Sequence, residues 1–254
     1  MEFAKEGAAV ALHYSHSASG ADSAVNEIIR ASGRARSFKA DFIQVDQIHQ
    51  LANDVIKFLG GLDVLINNAG ITMNLPFEDV TVEQFDTLYQ VNVRAQFFLT
   101  QSFVPTMEKQ GGGVVINVTS VHAFAGMTEH SVYAGTKGAI VAYTRVLSLE
   151  LIQKGIRVNA IAPGWIFVEN HRKTLGDEFD VEAAGKTIPA GFVGAPKDVG
   201  RLAVFLASDE SRFIVGQTLI ADGGVLALMP ASGDFREKRK EQWGVGYIKG
   251  LRKR

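Results

Sequence analysis

The chain has 254 residues, of which 46% are hydrophobic and 21% are charged, and it contains no cysteine. This length fits one large α/β domain, which is favoured over two small ones, and allows a sizeable core; the absence of cysteine excludes disulfide bonds and thiolate metal sites. The formal net charge of -1 provides no overall field that would attract nucleic acid or an acidic membrane.

Short apolar segments alternate with longer segments of helical periodicity. In chain order we predict strand 8–14, helix 20–32, strand 36–40, helix 45–59, strand 62–67, helix 82–109, strand 114–119, helix 131–154, strand 156–162, helix 196–207 and strand 217–221. This alternation indicates βαβ units, and hence a Rossmann-like α/β fold with a doubly wound parallel sheet flanked by helices. Residues 165–195 break the rhythm and predict a mobile loop with short helices, at the end of the sheet where ligands bind.

Glycines close several of the predicted helices. Gly33 is expected to cap the helix 20–32, and the clusters at 60–61 and 111–113 stand at helix ends before strands. These clusters are therefore interpreted as helix C-caps and not as phosphate-binding loops.

Tyr133 and Lys137 lie four residues apart on the predicted helix 131–154, so their side chains share one face. A free tyrosine has a pKa near ~10 and is a poor base at neutral pH. A lysine ammonium beside it favours the phenolate and would lower that pKa, so that the phenol could exchange a proton with a substrate oxygen. Ser120, at the end of a predicted strand, could hold the same oxygen. Standing alone, such a pair is more often a solvated helix face.

Other motifs surround this pair. The sequence NNAG follows a predicted strand at 67–70, Asn92 lies inside a long apolar helix, NVTS ends the next strand at 117–120, and PG ends another at 163–164. With YAGTK at 133–137 and DGG at 222–224, this set resembles the short-chain dehydrogenase/reductase family over about residues 3–224. The resemblance implies a nicotinamide-dependent oxidoreductase that interconverts alcohols and carbonyl compounds.

The resemblance also implies roles for individual residues. Tyr133 would be the acid/base, Lys137 would lower its pKa and bind the nicotinamide ribose, and Ser120 would polarise the carbonyl. Asn92 would hold a water in a proton relay to Lys137, although a buried helix asparagine can also be a satisfied kink residue. The implied cofactor-binding residues are Asp41, Phe42, Asn68, Ala69, Gly70, Tyr133, Lys137, Pro163, Gly164 and Ile166.

Asp41 has an alternative interpretation, and residue 168 departs from the family pattern. Asp41 would bind the adenine amino group, but it could also be a turn or N-cap aspartate. Family members commonly have a threonine four residues after the PG glycine, where this chain has Val168. The hydroxyl that would bind the nicotinamide carboxamide is therefore missing.

The choice between NADP and NAD depends on the end of the strand 8–14. An acid there normally accepts the ribose 2′-hydroxyl of NAD and repels a 2′-phosphate. The stretch 13–17, HYSHS, contains no acid, which slightly favours NADP. Since it contains no arginine to bind the phosphate either, NAD stays open.

The resemblance further implies a first strand, a glycine-rich phosphate-binding loop and most of a first helix ahead of Met1. Met1 would itself fall inside that helix. We therefore expect Met1 to be an internal methionine of a longer natural protein, with in-frame upstream sequence that encodes the loop.

We divide the chain into a single Rossmann-type domain at 1–233, lacking the first strand and loop, and a basic tail at 234–254. The tail has eight Lys and Arg after Phe235 against two Glu, which leaves a nucleic-acid or anionic-surface role open. Because the net charge is near zero, a solvated or subunit-contacting tail is favoured over nucleic acid. Apolar tail residues and the resemblance together predict a homo-oligomer, a tetramer or dimer; these residues are Trp243, Tyr247, Ile248 and Leu251.

We expect no metal site, because none of the six histidines forms a ligand spacing with acids on one helix face. His122 and His130 lie between Ser120 and Tyr133, so each could touch a substrate or be a surface histidine. No signal peptide and no apolar run of membrane-spanning length is evident, so we expect a cytoplasmic protein with no membrane partner.

The substrate is expected to be a small-molecule alcohol or ketone, with a sugar or polyol favoured. A 3-oxoacyl-carrier-protein reductase is the alternative, although the segment 108–111, EKQG, offers little of the basic rim that an acidic carrier would need. A non-catalytic dinucleotide-binding or scaffold protein is the alternative from another class, if Met1 is the true start.

Overall fold

The computed structural model describes residues 1–168, 171, 174–176, 178–229, 234–238, 243–245 and 247–251. The strands are β1 Val10–Tyr14, β2 Ala35–Lys39, β3 Val64–Asn67, β4 Gly113–Val118, β5 Ile156–Pro163 and β6 Thr218–Ala221. The α-helices are α1 Glu2–Lys5, α2 Ala18–Arg30, α3 Val45–Leu59, α4 Val82–Tyr89, α5 Ala95–Lys109, α6 Ser131–Ile152, α7 Val181–Gly185 and α8 Pro196–Ala207. Within the described residues, no helix is long and apolar enough to cross a membrane.

The strands form two parallel sheets. One has four strands in the order β3-β4-β5-β6, and the other is the pair β1-β2. In the described part of the chain, β1 pairs only with β2, and β3 pairs only with β4. Parallel strands flanked by helices confirm the predicted Rossmann-like α/β class.

The larger core lies between the strands and the helices α3 and α5. Ile48, Leu51, Ala52 and Val55 are the buried residues of α3, and their spacing places them on one face of that helix. They pack with Leu99 and Phe103 of α5 and with central residues of β4 and β5. Burying each large side chain contributes roughly 1.5–3 kcal/mol, so this face anchors α3 firmly. As predicted, α3 ends at Gly60, which is left-handed at φ 85°.

The end of α2 differs from the prediction. The left-handed residue is Ser32, at φ 64°, and Gly33 follows it. The N–H of Ser32 donates to Ile29 O, and the N–H of Gly33 donates to Ile28 O, a Schellman arrangement with serine at the position glycine usually takes. Gly33 is nevertheless required, because a Cβ there would lie 2.7 Å from Ile28 Cγ2. A close contact, and not a positive φ, therefore explains this glycine.

The predicted helix 82–109 has three parts in the structure. The helix α4 begins with a capping box between Thr81 and Gln84, and a π-helical turn, Gln90–Arg94, joins it to α5. Asn92 lies in that turn and is fully buried. Single π-turns inside α-helices are frequent at functional sites, since they re-aim a side chain without ending the helix.

The described part of the region 165–195 is irregular, as predicted, and includes the short helix α7. Ile166 forms an isolated parallel bridge with Gly194, so the two ends of the region lie side by side. Asp180 caps α7 by accepting from Ala183 N at 2.9 Å. Residues 169–170, 172–173 and 177 lie outside the described residues, as does the domain boundary predicted at 233.

Candidate functional site

Most of the predicted site residues lie at one edge of the four-stranded sheet. Because β3, β4 and β5 are parallel, their carboxyl ends meet at that edge, where open α/β sheets bind ligands. The residues Asn68 to Gly70 follow β3, Ser120 follows β4, and Pro163 ends β5. The N–H of Thr119 donates to Ile161 O at 2.8 Å, which holds the end of β4 against β5.

The structure brings Ser120 and Tyr133 into contact. Burial raises the pKa of the Tyr133 phenol, and the nearby Ser120 hydroxyl lowers it by a smaller amount. The pKa of Tyr133 therefore lies above its ordinary value. Ser120 is itself 7% exposed, and its Oγ accepts from His122 N at 3.2 Å, which fixes the short helical turn that follows β4.

Lys137 lies one helical turn beyond Tyr133, with Nζ 5.6 Å from the centre of the phenol ring. Its side chain is 4% exposed, and burial lowers the pKa of its ammonium to about 8. The structure places the two predicted side chains one helical turn apart, and the pKa of Tyr133 lies above its ordinary value, opposite to the direction expected from a neighbouring ammonium. Burial disfavours the charged forms of both groups, and it is the largest cause of each shift.

Two threonines hold the turn of α6 that carries this pair. Thr119 Oγ1 donates to the carbonyl of Lys137 at 2.7 Å, and Thr136 Oγ1 donates to the carbonyl of Tyr133 at 2.7 Å. Lys137 Nζ donates to Val118 O at 3.0 Å, its only hydrogen bond within the described residues. An ammonium has three donors, so two remain for a ligand.

Asn92 binds the segment after β3. Its Nδ2 donates to Ile71 O at 2.8 Å and to Thr136 Oγ1 at 3.1 Å, while its Oδ1 accepts from Ile71 N at 2.8 Å. A Cβ added to Gly70 would lie 3.2 Å from Asn92 Oδ1 and 3.5 Å from Lys137 Nζ. Gly70 therefore leaves a small space that Asn92 Oδ1 and Lys137 Nζ both face. The hydrogen bonds of Asn92 to Ile71 and Thr136 also give it the structural role that the sequence left open.

Ala69 is held by a buried pair that sequence reasoning did not single out. Gln96 Nε2 donates to Ala69 O at 3.2 Å, and Tyr143 Oη donates to Gln96 Oε1 at 2.9 Å. Burial raises the pKa of Tyr143 well above its ordinary value, so its phenol stays protonated and can donate this bond. Asn68 is exposed beside them. No motif in the sequence marks Gln96 or Tyr143, because their pairing depends on the packing of α5 against α6.

The segment after β5 is tied to the segment after β6. Gly164 N donates to Ala221 O at 2.9 Å, and a Cβ on Gly164 would lie 2.6 Å from Asp222 Cβ, so this close approach requires glycine. Ile166 is half-buried at its bridge with Gly194, and Val168 is exposed. These residues therefore follow the carboxyl end of β5, at the same edge of the sheet as Ser120.

A second group of predicted residues lies at the carboxyl ends of β1 and β2. An open cleft of about 600 Å³ is lined there by Tyr14, Ser15, His16, Ala18, Lys39, Asp41 and Gln47. Asp41 Oδ1 accepts from Ile43 N at 2.9 Å, the turn interaction that was its alternative interpretation, while the residue still lines the cleft. Phe42 is 5% exposed and its ring stacks on His13 at 4.0 Å, so its side chain belongs to the core.

Lys39 is the cleft residue that sequence reasoning missed. It ends β2 and stands opposite Tyr14 in the parallel register of β1 and β2. The stretch 13–17 does not contain this cation, because Lys39 lies on the neighbouring strand. The carboxyl ends of two paired strands share an edge, and that pairing is the signal that would have located it.

His122 and His130 form a stacked pair against Tyr133. Their ring centroids are 5.1 Å apart with an interplanar angle of 13°, and the His122 ring meets the Tyr133 ring edge-on at 5.6 Å. Burial and the neighbouring His130 lower the pKa of His122. Sequence reasoning left each histidine open between substrate contact and surface, and the structure places both beside the phenol.

The family model that matches this chain is described as Enoyl-(Acyl carrier protein) reductase and covers residues 1–226. The hydroxynaphthalene reductase-like protein Arp2 of Metarhizium robertsii is 33% identical over 236 residues, 88% of each chain. The crystal structure of acetoin dehydrogenase from Enterobacter cloacae has a TM-score of 0.82 at 31% identity, covering 90% of this chain and 89% of that one. A 7α-hydroxysteroid dehydrogenase complexed with NADH and 7-oxo glycochenodeoxycholic acid has a TM-score of 0.82 at 34% identity, covering 88% and 86%.

Proposed function

The chain belongs to the short-chain dehydrogenase/reductase family, an oxidoreductase family acting on CH–OH and C=O groups, and we propose which of its residues perform that chemistry. The observation that carries the proposal is the contact of Ser120 with Tyr133, with Lys137 one helical turn away. These three groups stand together at the carboxyl edge of a parallel sheet. A bound nicotinamide supplies or accepts the hydride, and the side chains handle the substrate oxygen and its proton.

Tyr133 is the proposed proton donor to the substrate oxygen. Because burial raises the pKa of its phenol, Tyr133 is protonated at neutral pH and is ready to donate in the reducing direction. Ser120 can bind the same oxygen, since its hydroxyl already contacts the phenol. Lys137, with its pKa lowered to about 8, changes protonation close to neutral pH and is the proposed source of the replacing proton.

Asn92 is the proposed link between Lys137 and solvent. Its Oδ1 and Lys137 Nζ both face the space beside Gly70, where a water could bridge them. Oδ1 already accepts from Ile71 N and has one further lone pair for such a water. This arrangement supports a relay role for Asn92 in addition to its structural one.

The residues present fit a dinucleotide at both ends of the site. Lys137 has two donors without a partner among the described residues, which suits ribose hydroxyls, and the space beside Gly70 would be filled by any side chain there. We propose that Asn68, Ala69 and Gly70 line the adenosine ribose and that Asp41 faces the adenine. The segment with Pro163, Gly164 and Ile166 would pack near the nicotinamide, and Phe42 would contribute by holding His13.

NADP is the proposed preference over NAD. The 600 Å³ cleft contains no acid at the end of β1, and it contains the exposed Lys39 from β2. Lysine binds phosphate as a point charge, so Lys39 can supply the cation that the stretch 13–17 lacks. Asp41 lines the same cleft and opposes this attraction, so the expected preference is modest.

A small polar ketone or alcohol is the proposed substrate class, with a sugar or polyol included. The similarity to an acetoin dehydrogenase supports a small hydroxy ketone. The similarity to a hydroxynaphthalene reductase-like protein and to a hydroxysteroid dehydrogenase leaves larger ring ketones as competitors. A 3-oxoacyl-carrier-protein substrate is the further alternative.

A direct assay tests the proposed function. Oxidation of NADPH and NADH by the protein is followed with a panel of small ketones, hydroxy ketones, ring ketones and a 3-oxoacyl thioester. We expect turnover with at least one ketone and a higher kcat/KM with NADPH. Tight nucleotide binding without turnover of any carbonyl compound would instead favour the non-catalytic dinucleotide-binding protein.

We also propose a homo-oligomer. Val146 and Leu149 on α6 are 55% and 73% exposed, and the tail residues Trp243 and Tyr247 are 75% and 94% exposed. Large exposed apolar groups of this kind are typical of subunit contacts. Light scattering should give a mass above that of one chain, and removal of residues 234–254 should lower it; a monomer would contradict the proposal.

A further inference from the structure

His122 lies next to the two side chains that we propose bind the substrate oxygen. It lies two residues after Ser120, and its backbone N–H donates to Ser120 Oγ at 3.2 Å. Its ring packs edge-on against Tyr133 and flat against His130. The imidazole therefore contacts the Tyr133 ring directly, and its backbone is tied to the Ser120 hydroxyl.

The two ring nitrogens of His122 have different surroundings. Nδ1 is sealed from solvent and has no hydrogen-bond partner among the described residues. Nε2 is not sealed, since the residue is half-buried, and it too has no partner in the part of the chain that the structure describes. Nε2 is thus the nitrogen that is open to a ligand.

The protonation state of this ring follows from its neighbours. His130 stacks on it, Tyr133 meets its edge, and Ser120 holds its backbone, and no carboxylate of a described residue is recorded in contact with the ring. A buried N–H without an acceptor is costlier than a buried lone pair, which assigns the single proton of the neutral ring to Nε2. His122 therefore presents one N–H donor next to Ser120 and Tyr133.

We propose that His122 is a specificity-determining residue that donates a hydrogen bond from Nε2 to a second oxygen next to the reacting carbonyl. This inference rests on the proposed function and narrows its substrate class to vicinal oxygenated ketones, such as α-hydroxy ketones. In the proposed function, Ser120 and Tyr133 bind the reacting oxygen of the substrate. A further donor on the short turn that follows Ser120 would then find its nearest acceptor in an oxygen on the adjacent carbon of the substrate. A site that hydrogen-bonds a substrate hydroxyl rejects the analogue that lacks it, because the donor is then left unpaired.

The test compares matched substrate pairs, each a plain ketone and its α-hydroxy counterpart, such as butan-2-one and 3-hydroxybutan-2-one. For the wild-type protein we expect kcat/KM with NADPH to be at least roughly 10-fold higher for the hydroxy ketone. His122→Phe keeps the flat ring against Tyr133 and removes the donor, so this ratio should fall to about one. His122→Gln places an amide N–H near the position of Nε2 and should restore part of the ratio.

His130→Phe is the matched control, because it replaces the other ring of the stack and leaves the Nε2 of His122 in place. In this variant the ratio of kcat/KM for the hydroxy ketone to kcat/KM for the plain ketone should stay within about 3-fold of wild type, because the donor is kept. Equal kcat/KM ratios in the wild type and His122→Phe would overturn the inference, as would a wild type without preference for hydroxy ketones. In either case, turnover of a ketone would still uphold the proposed function. A protein that binds NADPH but reduces neither member of any pair contradicts both.

Discussion

Lys137 Nζ lies 5.6 Å from the centre of the Tyr133 ring, and each of these groups is held largely out of water by the same turn of α6. Burial therefore adds a free-energy cost to the charged form of each side chain. That cost appears in opposite pKa shifts, upward for the phenol and downward to about 8 for the ammonium. Its consequences for stability can be measured separately from catalysis.

We predict that Lys137→Met stabilises the fold while abolishing turnover. Below pH 8 the lysine is charged in both the folded and unfolded states, and the folded state carries the burial cost, on the order of 3 kcal/mol for a shift from 10.5 to about 8. Between pH 8 and 10.5 the folded lysine loses its proton first, so wild-type stability rises with pH relative to the variant. Urea unfolding should show the variant more stable by about 1–3 kcal/mol at pH 7, with a smaller difference at pH 10.

The control for this prediction is Lys57→Met, since Lys57 is 76% exposed beside Asp54. Its free energy of unfolding should change by less than about 0.5 kcal/mol at either pH. A Lys137→Met protein that is less stable than wild type at pH 7 would mean that the bond to Val118 O outweighs the cost of burial.

Asn92→Ala should destabilise the protein. The substitution removes the partners of both backbone polar groups of Ile71 and leaves a cavity in the π-helical turn. We expect a loss of about 2–3 kcal/mol in the free energy of unfolding, measured in urea. Asn74→Ala, which removes an exposed contact to Glu129, should cost less than about 0.5 kcal/mol. Similar small losses in both variants would show that Asn92 is not a structural clamp.

Lys39→Glu should change cofactor preference. A charge reversal at the cleft places a carboxylate where we propose the 2′-phosphate binds, so kcat/KM with NADPH should fall by roughly 10-fold or more. The value with NADH should change by less than about 3-fold, because NADH has no phosphate there. Lys57→Glu, outside the cleft, controls for overall charge. An equal fall with both nucleotides would remove Lys39 from phosphate recognition.

The order of strands and helices was predictable because it depends on local patterns. Residues such as Val115 and Ile116 are buried on both faces of β4, so a continuous apolar run marks the strand. Helix ends were less predictable, since the left-handed position of α2 fell on Ser32 and not on Gly33. The π-helical turn at Asn92 has no local signal, because its bonds reach Ile71 and Thr136 across the fold.

The candidate site was predictable where residues share one element. Tyr133 and Lys137 are one turn apart on a helix, and their proximity follows from helical geometry. The direction of the Tyr133 pKa shift did not follow, since burial is a property of the whole fold. Lys39 and the stacked ring of His130 also required the tertiary structure, because each meets its partners from a different element.

The account depends most on the phenol oxygen of Tyr133, and Tyr133→Phe removes that atom while keeping the ring against His122. The decisive measurement is kcat/KM for NADPH-dependent ketone reduction by wild type and Tyr133→Phe, alongside NADPH affinity from fluorescence titration. We predict a fall in kcat/KM of roughly 100-fold or more, as expected for a lost general acid, with NADPH affinity within about 3-fold of wild type. A Tyr133→Phe protein that binds NADPH normally and reduces the ketone at the wild-type rate would contradict the account.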